Sequence, residues 1–221
     1  MKTFYDLQEG LYDPNIFKAF FLAGGPGSGK SYVVKRTTGG TGLKLVNQDE
    51  PFEYLLKKAG LSLKMPPEES ERKEVQRQRS KDITAARKKN YLEGRLGLVI
   101  DGTGKDANKI LSQKAGLEEL GYDTYMIYVN TSLDVALQRN AERSRSVPEP
   151  IVVKAWKDVQ GNIGKFSNMF KGEFIVVDNN NAGEEIFTSV FKRVRGLLRR
   201  KVQNTRAQNW MAAELARKQR K

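Results

Sequence analysis

Apolar residues in this chain gather in short unbroken runs rather than alternating with polar ones. Phe20-Phe21-Leu22-Ala23, Leu43-Lys44-Leu45-Val46, Leu96-Gly97-Leu98-Val99-Ile100-Asp101, Tyr125-Met126-Ile127-Tyr128-Val129 and Phe174-Ile175-Val176-Val177-Asp178 each read as a strand. Runs that are apolar at successive positions predict strands covered on both faces, as in a parallel sheet. Between them, helical patterns run over 30–36, 52–59, 68–92, 107–120, 133–143, 151–170 and 184–202. Strands alternating with helices predict an α/β fold, here a five-stranded parallel sheet with helices on both faces and a further basic helix at the C-terminus. Residues 37–42 (Thr-Thr-Gly-Gly-Thr-Gly) read as a flexible loop and 178–183 (Asp-Asn-Asn-Asn-Ala-Gly) as a turn. The expected division is a core over 1–183, with a helical insertion at 51–95, followed by a basic helix and tail over 184–221.

Composition narrows the chemistry. The 221 residues include neither cysteine nor histidine. That excludes disulfides, thiol nucleophiles, histidine general bases, serine–histidine triads and a structural zinc of the cysteine/histidine type. Carboxylates, lysine, arginine, hydroxyls, backbone amides and oxygen-ligated metals remain. The charge is uneven: residues 192–221 carry eleven Lys/Arg against Glu214 alone, and so supply +10 of the net +13. No apolar run approaches the roughly 18–20 residues of a membrane span, so no membrane partner is expected. The N-terminal Met1-Lys2-Thr3-Phe4-Tyr5-Asp6 lacks the apolar stretch of a signal peptide. A soluble, cytoplasmic protein is expected.

Gly24-Gly25-Pro26-Gly27-Ser28-Gly29-Lys30-Ser31 fits the pattern G-x-x-x-x-G-K-[ST], with a strand before it and a helix beginning inside it. A chance match somewhere in a chain this long is on the order of one per cent. Glycines let successive N–H groups point at phosphate oxygens, and the following helix adds the positive end of its dipole. ATP phosphates would thus lie against Gly25, Pro26, Gly27, Ser28 and Gly29. Lys30 would supply a point charge and Ser31 a hydroxyl to Mg²⁺. Asp49 closes the second strand, where a carboxylate faces the ligand crevice and can take a proton from an attacking hydroxyl. The alternative is a helix cap, because Pro51 follows, and Glu50 could share either role. Asp101 ends the third strand and is the expected second Mg²⁺ ligand, although it too could serve a helix start, a part Asp106 could take alone. Arg139 and Arg143 stand four apart on one face of a helix. They could close over the phosphates as part of a lid at 139–149, or simply settle the helix C-terminus.

Taken in order, GGPGSGKS (24–31), VNQDE (46–50), VIDGTG (99–104) and VALQRNAERSRSVP (135–148) resemble the P-loop kinases that join phage polynucleotide 5′-kinases with zeta-toxin-type kinases. The resemblance spans roughly residues 16–165. It implies that Asp49 is the general base and that Arg143 is the lid arginine, with Arg139 one turn earlier. Polynucleotide kinases usually have R-D-D or R-D-x after the second strand, whereas this chain has Gln48 before Asp49. Phage kinases that phosphorylate 5-hydroxymethyluridine in DNA are similar, and a phage-encoded protein working in host cytoplasm is the implied setting.

Two segments bear on the acceptor. The insertion 51–95 carries many cations, and Phe52 and Tyr54 could stack on a base or belong to the core. In the C-terminal arm, Ile186, Phe187, Val190, Phe191, Val194, Leu197 and Leu198 recur at helical spacing, leaving Lys192, Arg193, Arg195, Arg199, Arg200 and Lys201 on the remaining surface. Such a stripe beside the phosphate loop would hold a nucleic-acid backbone, DNA in the first instance. The expected function is therefore an ATP- and Mg²⁺-dependent kinase acting on a nucleic-acid hydroxyl, at a 5′ end or on a hydroxymethylated base. The alternatives are a zeta-toxin-like kinase of a UDP-sugar or nucleotide, and a nucleotide-dependent binding protein without transfer chemistry.

Overall fold

The computed structural model describes residues 11–63, 66–143 and 146–219. Five strands, β1 (Lys18–Ala23), β2 (Lys44–Val46), β3 (Leu98–Asp101), β4 (Asp123–Asn130) and β5 (Phe174–Asp178), form one sheet in the order β2-β3-β1-β4-β5. Every pairing is parallel. The helices are α1 (Lys30–Thr38), α2 (Asp49–Lys58), α3 (Ser70–Glu93), α4 (Ala107–Glu119), α5 (Leu133–Ala141), α6 (Glu149–Gln160), α7 (Ile163–Phe170), α8 (Glu184–Arg199) and α9 (Thr205–Gln219). The expected α/β class and five-stranded parallel sheet are what the chain forms.

The unbroken apolar runs have a simple cause. Successive residues of a strand point to opposite faces, and here both faces are covered. Ala19, Phe21 and Ala23 of β1 join one core with residues of α4, α7 and α9, whereas Phe20 and Leu22 join the other with residues of α1 and α8. The interior stretch of this central strand, Ala19–Ala23, is therefore apolar at every position. A smaller cluster of Phe52, Leu56 and Leu61 lies under α2. Phe52 is buried there, with the Arg77 guanidinium 4.8 Å from its ring centroid, so of the two aromatics considered for stacking only Tyr54 is exposed.

Two helices depart from the periodicity. The pattern over 151–170 divides into α6 and α7 at Gly161-Asn162, where the Asn162 amide donates to the carbonyls of Gly104 and Lys105. Polar contact to a neighbouring loop overrides helix continuation there. The pattern over 184–202 ends at Arg199, and the tail beyond it forms α9.

The turn between α8 and α9 is fastened to the sheet through a buried ion pair. Lys18, on the central strand, is fully buried, and its Nζ donates to Asp123 Oδ2 (2.8 Å) and Tyr125 Oη (3.1 Å). The same carboxylate accepts the backbone N–H groups of Gln203 and Asn204. Because Lys18 and Asp123 open their strands in register, this knot lies at the N-terminal edge of the sheet, where Trp210 of α9 meets Phe17 edge-on. Removing one member of a buried pair strands the other charge, at a cost of about 3–5 kcal/mol. Asp123→Ala should therefore lower unfolding free energy by about that amount in a urea titration, well beyond the ~1 kcal/mol expected of an average substitution.

Candidate active site

The phosphate-type loop and Asp101 meet because β1 and β3 are neighbours. Leu22 is in register with Asp101, the Gly102 N–H donates to Leu22 O, and the Gly24 N–H donates to Thr103 O. The loop that follows β1 is crowded from behind. Gly27 has φ 75°, and a Cβ there would lie 2.0 Å from the carbonyl oxygen of Ala136 in α5. Gly29 has φ 79°, and a Cβ there would meet the Asn179 amide at 2.5 Å. Both glycines are demanded by backbone conformation and by close approach together.

A cleft of about 400 Å³ opens above this loop. Among its lining residues are Gly25, Pro26, Gly27, Gly29, Lys30 and Ser31 of the loop, with Asp49, Asp101, Arg139 and Arg143 around them. Ser28 is buried beneath; its carbonyl accepts from the Asn179 amide, while its hydroxyl has no partner. Glu50 is exposed and lies outside the lining. Lys30 curls back on its own loop, donating to Gly24 O (2.7 Å) and Gly25 O (3.3 Å).

The electrostatics of the cleft are unbalanced. Burial holds the Lys30 ammonium below its ordinary pKa, against the opposing pull of Asp101 and Asp49, and Arg143 pushes in the same direction as burial. Burial raises the Asp101 carboxyl above its ordinary value, only partly offset by Lys30, with Asp49 adding to the rise. Asp101 Oδ1 is buried and has no hydrogen-bond partner. A hard oxygen atom without a partner, a serine hydroxyl on the same cleft and no nitrogen or sulfur ligands suit a divalent cation such as Mg²⁺.

The two arginines expected in a lid differ. Arg143 is exposed just past α5 and is felt by Lys30. Arg139 has both guanidinium arms on main-chain carbonyls, of Asn179 (2.7 Å) and Asn180 (2.9 Å), so it braces the loop after β5. Of the lid expected over 139–149, Ser144 and Arg145 lie outside the described residues.

Two asparagines organise the site and had no distinct sequence signal. Asn47 Nδ2 donates to Asp101 Oδ2 (2.7 Å), and its Oδ1 accepts the Asp49 N–H (2.5 Å), so one side chain joins the Asp101 carboxylate to the main chain at the start of α2. Asp49 itself is the first residue of α2. Asn179 ties the phosphate-type loop to the end of β5. A polar residue two places ahead of an acid, or a run of three asparagines, reads as turn chemistry and gives no hint of such bridges.

The expectation that the basic arm borders this site is corrected. The cleft lies at the C-terminal edge of the strands, and α8 runs away from it to the knot at Asp123, on the opposite edge. Six residues of β1 separate the edges by about 17 Å.

A family model described as AAA domain matches residues 20–165. No curated protein matches the sequence. Among solved structures, a Chloroflexus aurantiacus J-10-fl protein described as a candidate kinase is 13% identical, with a TM-score of 0.53 over 82% of this chain and 98% of that one. A gluconokinase from Sinorhizobium meliloti 1021 is 14% identical, with a TM-score of 0.51 over 83% and 95%. A chain of the Pnkp1/Rnl/Hen1 RNA repair complex is 21% identical, with a TM-score of 0.53 over 69% of this chain and 47% of that one. At these identities the likeness is one of fold.

The raised Asp101 carboxyl makes a sign-definite prediction for the nucleotide-free protein. Its folded-state pKa lies above the unfolded value, so ionising it costs stability. That cost is absent below the ordinary value of about 3.8, grows as pH rises through the folded pKa and is complete above it. Asp101→Asn should therefore melt higher than wild type at neutral pH. The gap should close as the pH falls toward 3.8, as followed by thermal scans across the pH range.

Proposed function

The chain belongs to the AAA domain family, and from that membership and the cleft we propose that it is an ATP-dependent phosphotransferase acting on a hydroxyl. The observation that carries this reading is that Lys30, Ser31, Asp49, Asp101 and Arg143 line one cleft, with Lys30 under the influence of both carboxylates and of Arg143.

The loop amides and the N-terminus of α1 bind the phosphates. Lys30, already dehydrated, exchanges two carbonyls for phosphate oxygens, which compensate its charge better. Ser31 and Asp101 would hold Mg²⁺, whose chemistry is to neutralise charge on the β- and γ-phosphates. Asn47 keeps the Asp101 carboxylate aimed and holds the first turn of α2, so that Asp49 stands at the acceptor side. Asp49 accepts the proton as the acceptor oxygen bonds to the γ-phosphorus. The bond from that phosphorus to the β,γ-bridging oxygen breaks, and ADP departs with the electron pair. Arg143 meets the charge that spreads over the equatorial oxygens, and Arg139 keeps the loop after β5 in place behind the phosphates.

For the acceptor we favour a hydroxyl on DNA or RNA, either a 5′ end or a hydroxymethylated base as in the 5-hydroxymethyluridine DNA kinases that the motifs resemble. The same motifs suggest a phage gene product acting in host cytoplasm. The acceptor side supports this reading with charge: α2 and α3 flank Asp49, and Arg72, Arg79, Lys81, Arg87 and Lys89 of α3 are exposed. A small-molecule acceptor, a UDP-sugar as in zeta-toxin-type kinases or a nucleotide, is favoured by one observation, the placement of the α8–α9 turn on the edge away from the cleft.

Labelled γ-phosphate offered with 5′-hydroxyl DNA, hydroxymethylated DNA and a pool of nucleotides and UDP-sugars tests both levels. Asp49→Asn should reduce kcat by about 10²–10⁴, and Arg143→Ala by about 10³, with melting temperature unchanged in each. Label confined to the small molecules would overturn the nucleic-acid acceptor. ATP binding with no transfer to any acceptor, identical in wild type and Asp49→Asn, would reduce the protein to a nucleotide-dependent binder.

A further inference from the structure

The helix that begins in the phosphate-type loop ends beside a second cavity. α1 runs nine residues from Lys30 to Thr38, about 14 Å at 1.5 Å per residue. Its C-terminal end turns through Gly39, Gly40 and Thr41, and between this turn and α8 lies a cavity of about 560 Å³, also lined by Phe191, Arg195 and Arg199. That is the volume of a small-ligand pocket, and no carboxylate lines it.

The cations of α8 fall into two groups. Arg193 and Arg200, seven apart, belong to the fold: Arg193 donates to the carbonyls of Gly172 and Phe174, and Arg200 pairs with Glu173 at 3.0 Å. Lys192, Arg195 and Arg199, spaced by three and four, share a different face. No described carboxylate forms an ion pair with any of these three, and Arg195 rests 5.6 Å from the ring centroid of Phe191. Like charges one turn apart repel, so this face is favourable chiefly with an anion against it. The cations of α9 are otherwise engaged: Arg206 donates to Glu119 O, Arg217 pairs with Glu214, and Lys218 lies over Tyr12.

The cavity also offers more than charge. Asn15, buried in its wall, donates from Nδ2 to Thr41 O (2.7 Å) and so holds the glycine turn, while its Oδ1 has no partner. At the tip of the turn Gly40 has φ 73°, and a Cβ there would meet nothing within 4 Å. An aromatic ring, an unpaired amide oxygen and two guanidinium groups about 6 Å apart along the helix suit a phosphodiester chain with an unstacked base. An acidic peptide would use the charge and leave the other two features idle.

We propose that this pocket and the Lys192–Arg195–Arg199 face form a non-catalytic binding site for the backbone of single-stranded nucleic acid. The site lies at least the length of α1 from Lys30, so it holds a strand without placing its end at Asp49. It does not require the acceptor itself to be nucleic acid. A strand that occupied both sites would need several nucleotides.

The test is fluorescence anisotropy with a dye-labelled oligothymidylate 20-mer phosphorylated at both ends, which offers no terminal hydroxyl, in the absence of ATP at 50–200 mM salt. Wild type should bind with an affinity that falls as salt rises. The double variant Arg195→Ala/Arg199→Ala should bind at least tenfold more weakly at 50 mM salt. Its log–log salt slope should be shallower by roughly 1.4, two phosphate contacts at about 0.7 each. Lys154→Ala/Lys157→Ala on the exposed face of α6 removes the same two charges, serves as the charge-matched control and should bind as wild type does. A melting temperature within a degree of wild type would exclude unfolding as the cause of any loss. Absence of binding, equal binding by the double variant, or displacement of the oligonucleotide by poly-glutamate at equal charge concentration would overturn the proposal. Because the probe carries no acceptor hydroxyl at its ends, failure of the proposed transfer reaction leaves this result unaffected.

Discussion

Everything at the cleft depends on how the carboxyl ends of β1 and β3 are joined. Two main-chain bonds, Gly102 N–H to Leu22 O and Gly24 N–H to Thr103 O, lock the strands' ends together just where each gives way to a loop. Parallel neighbours direct both loops to the same edge, so a lysine seven residues beyond β1 and an aspartate closing β3 become neighbours without any long-range search. Removing the register Leu22↔Asp101 would leave the two charges on different parts of the surface. The glycine loop, α5 behind it and the asparagine braces all elaborate this one junction.

The junction holds opposite charges that do not satisfy each other. In a well-made buried ion pair both partners shift toward their charged forms. Here burial outweighs attraction on both sides: Lys30 is pushed down and Asp101 is pushed up. Lys30 resorts to carbonyls of its own loop, and one Asp101 oxygen has no partner. Contrast Lys18 and Asp123 at the opposite edge, where a tyrosine hydroxyl and two backbone N–H groups complete the pair. Satisfied charges of that kind hold the fold together; unsatisfied ones are set up for ligands that bring the missing partners, a phosphate for the lysine and a cation for the carboxylate.

Much of this was legible in the sequence because the constraints are local. A strand covered on both faces must be apolar throughout, and the phosphate-type loop must contain glycine where α5 and Asn179 crowd it, so both left short contiguous signatures. What escaped depended on the partner rather than on the residue. Asn47 and Asn179 look like ordinary turn residues until the loops they join are seen together. Gly161-Asn162 interrupts a good helical period only because Asn162 finds the carbonyls of Gly104 and Lys105. Phe52 looked able to meet a base until Leu56 and Leu61 were seen to enclose it. The basic arm shows the same limit in another form, for net charge is a sum and carries no position.

That last point changes what the charge of this chain means. An arm with +10 of the net +13 invites the picture of a single electropositive groove leading to the catalytic residues. The fold breaks the picture up. Some of those cations close the structure, as Arg200 does with Glu173 and Arg206 with the end of α4. Others stand together on α8 at the far end of α1, with a cavity beside them and no acid among its lining residues. The cleft draws on a different set, Lys30, Arg143 and the exposed face of α3. Electrostatic attraction over a Debye length of about 8 Å cannot link regions separated by the length of α1, so the two positive surfaces act independently on any ligand too short to touch both. The helix α1, with the phosphate-type loop at one end and the glycine turn at the other, is a rigid element the two surfaces share, and its length sets the distance a ligand must span to feel them together.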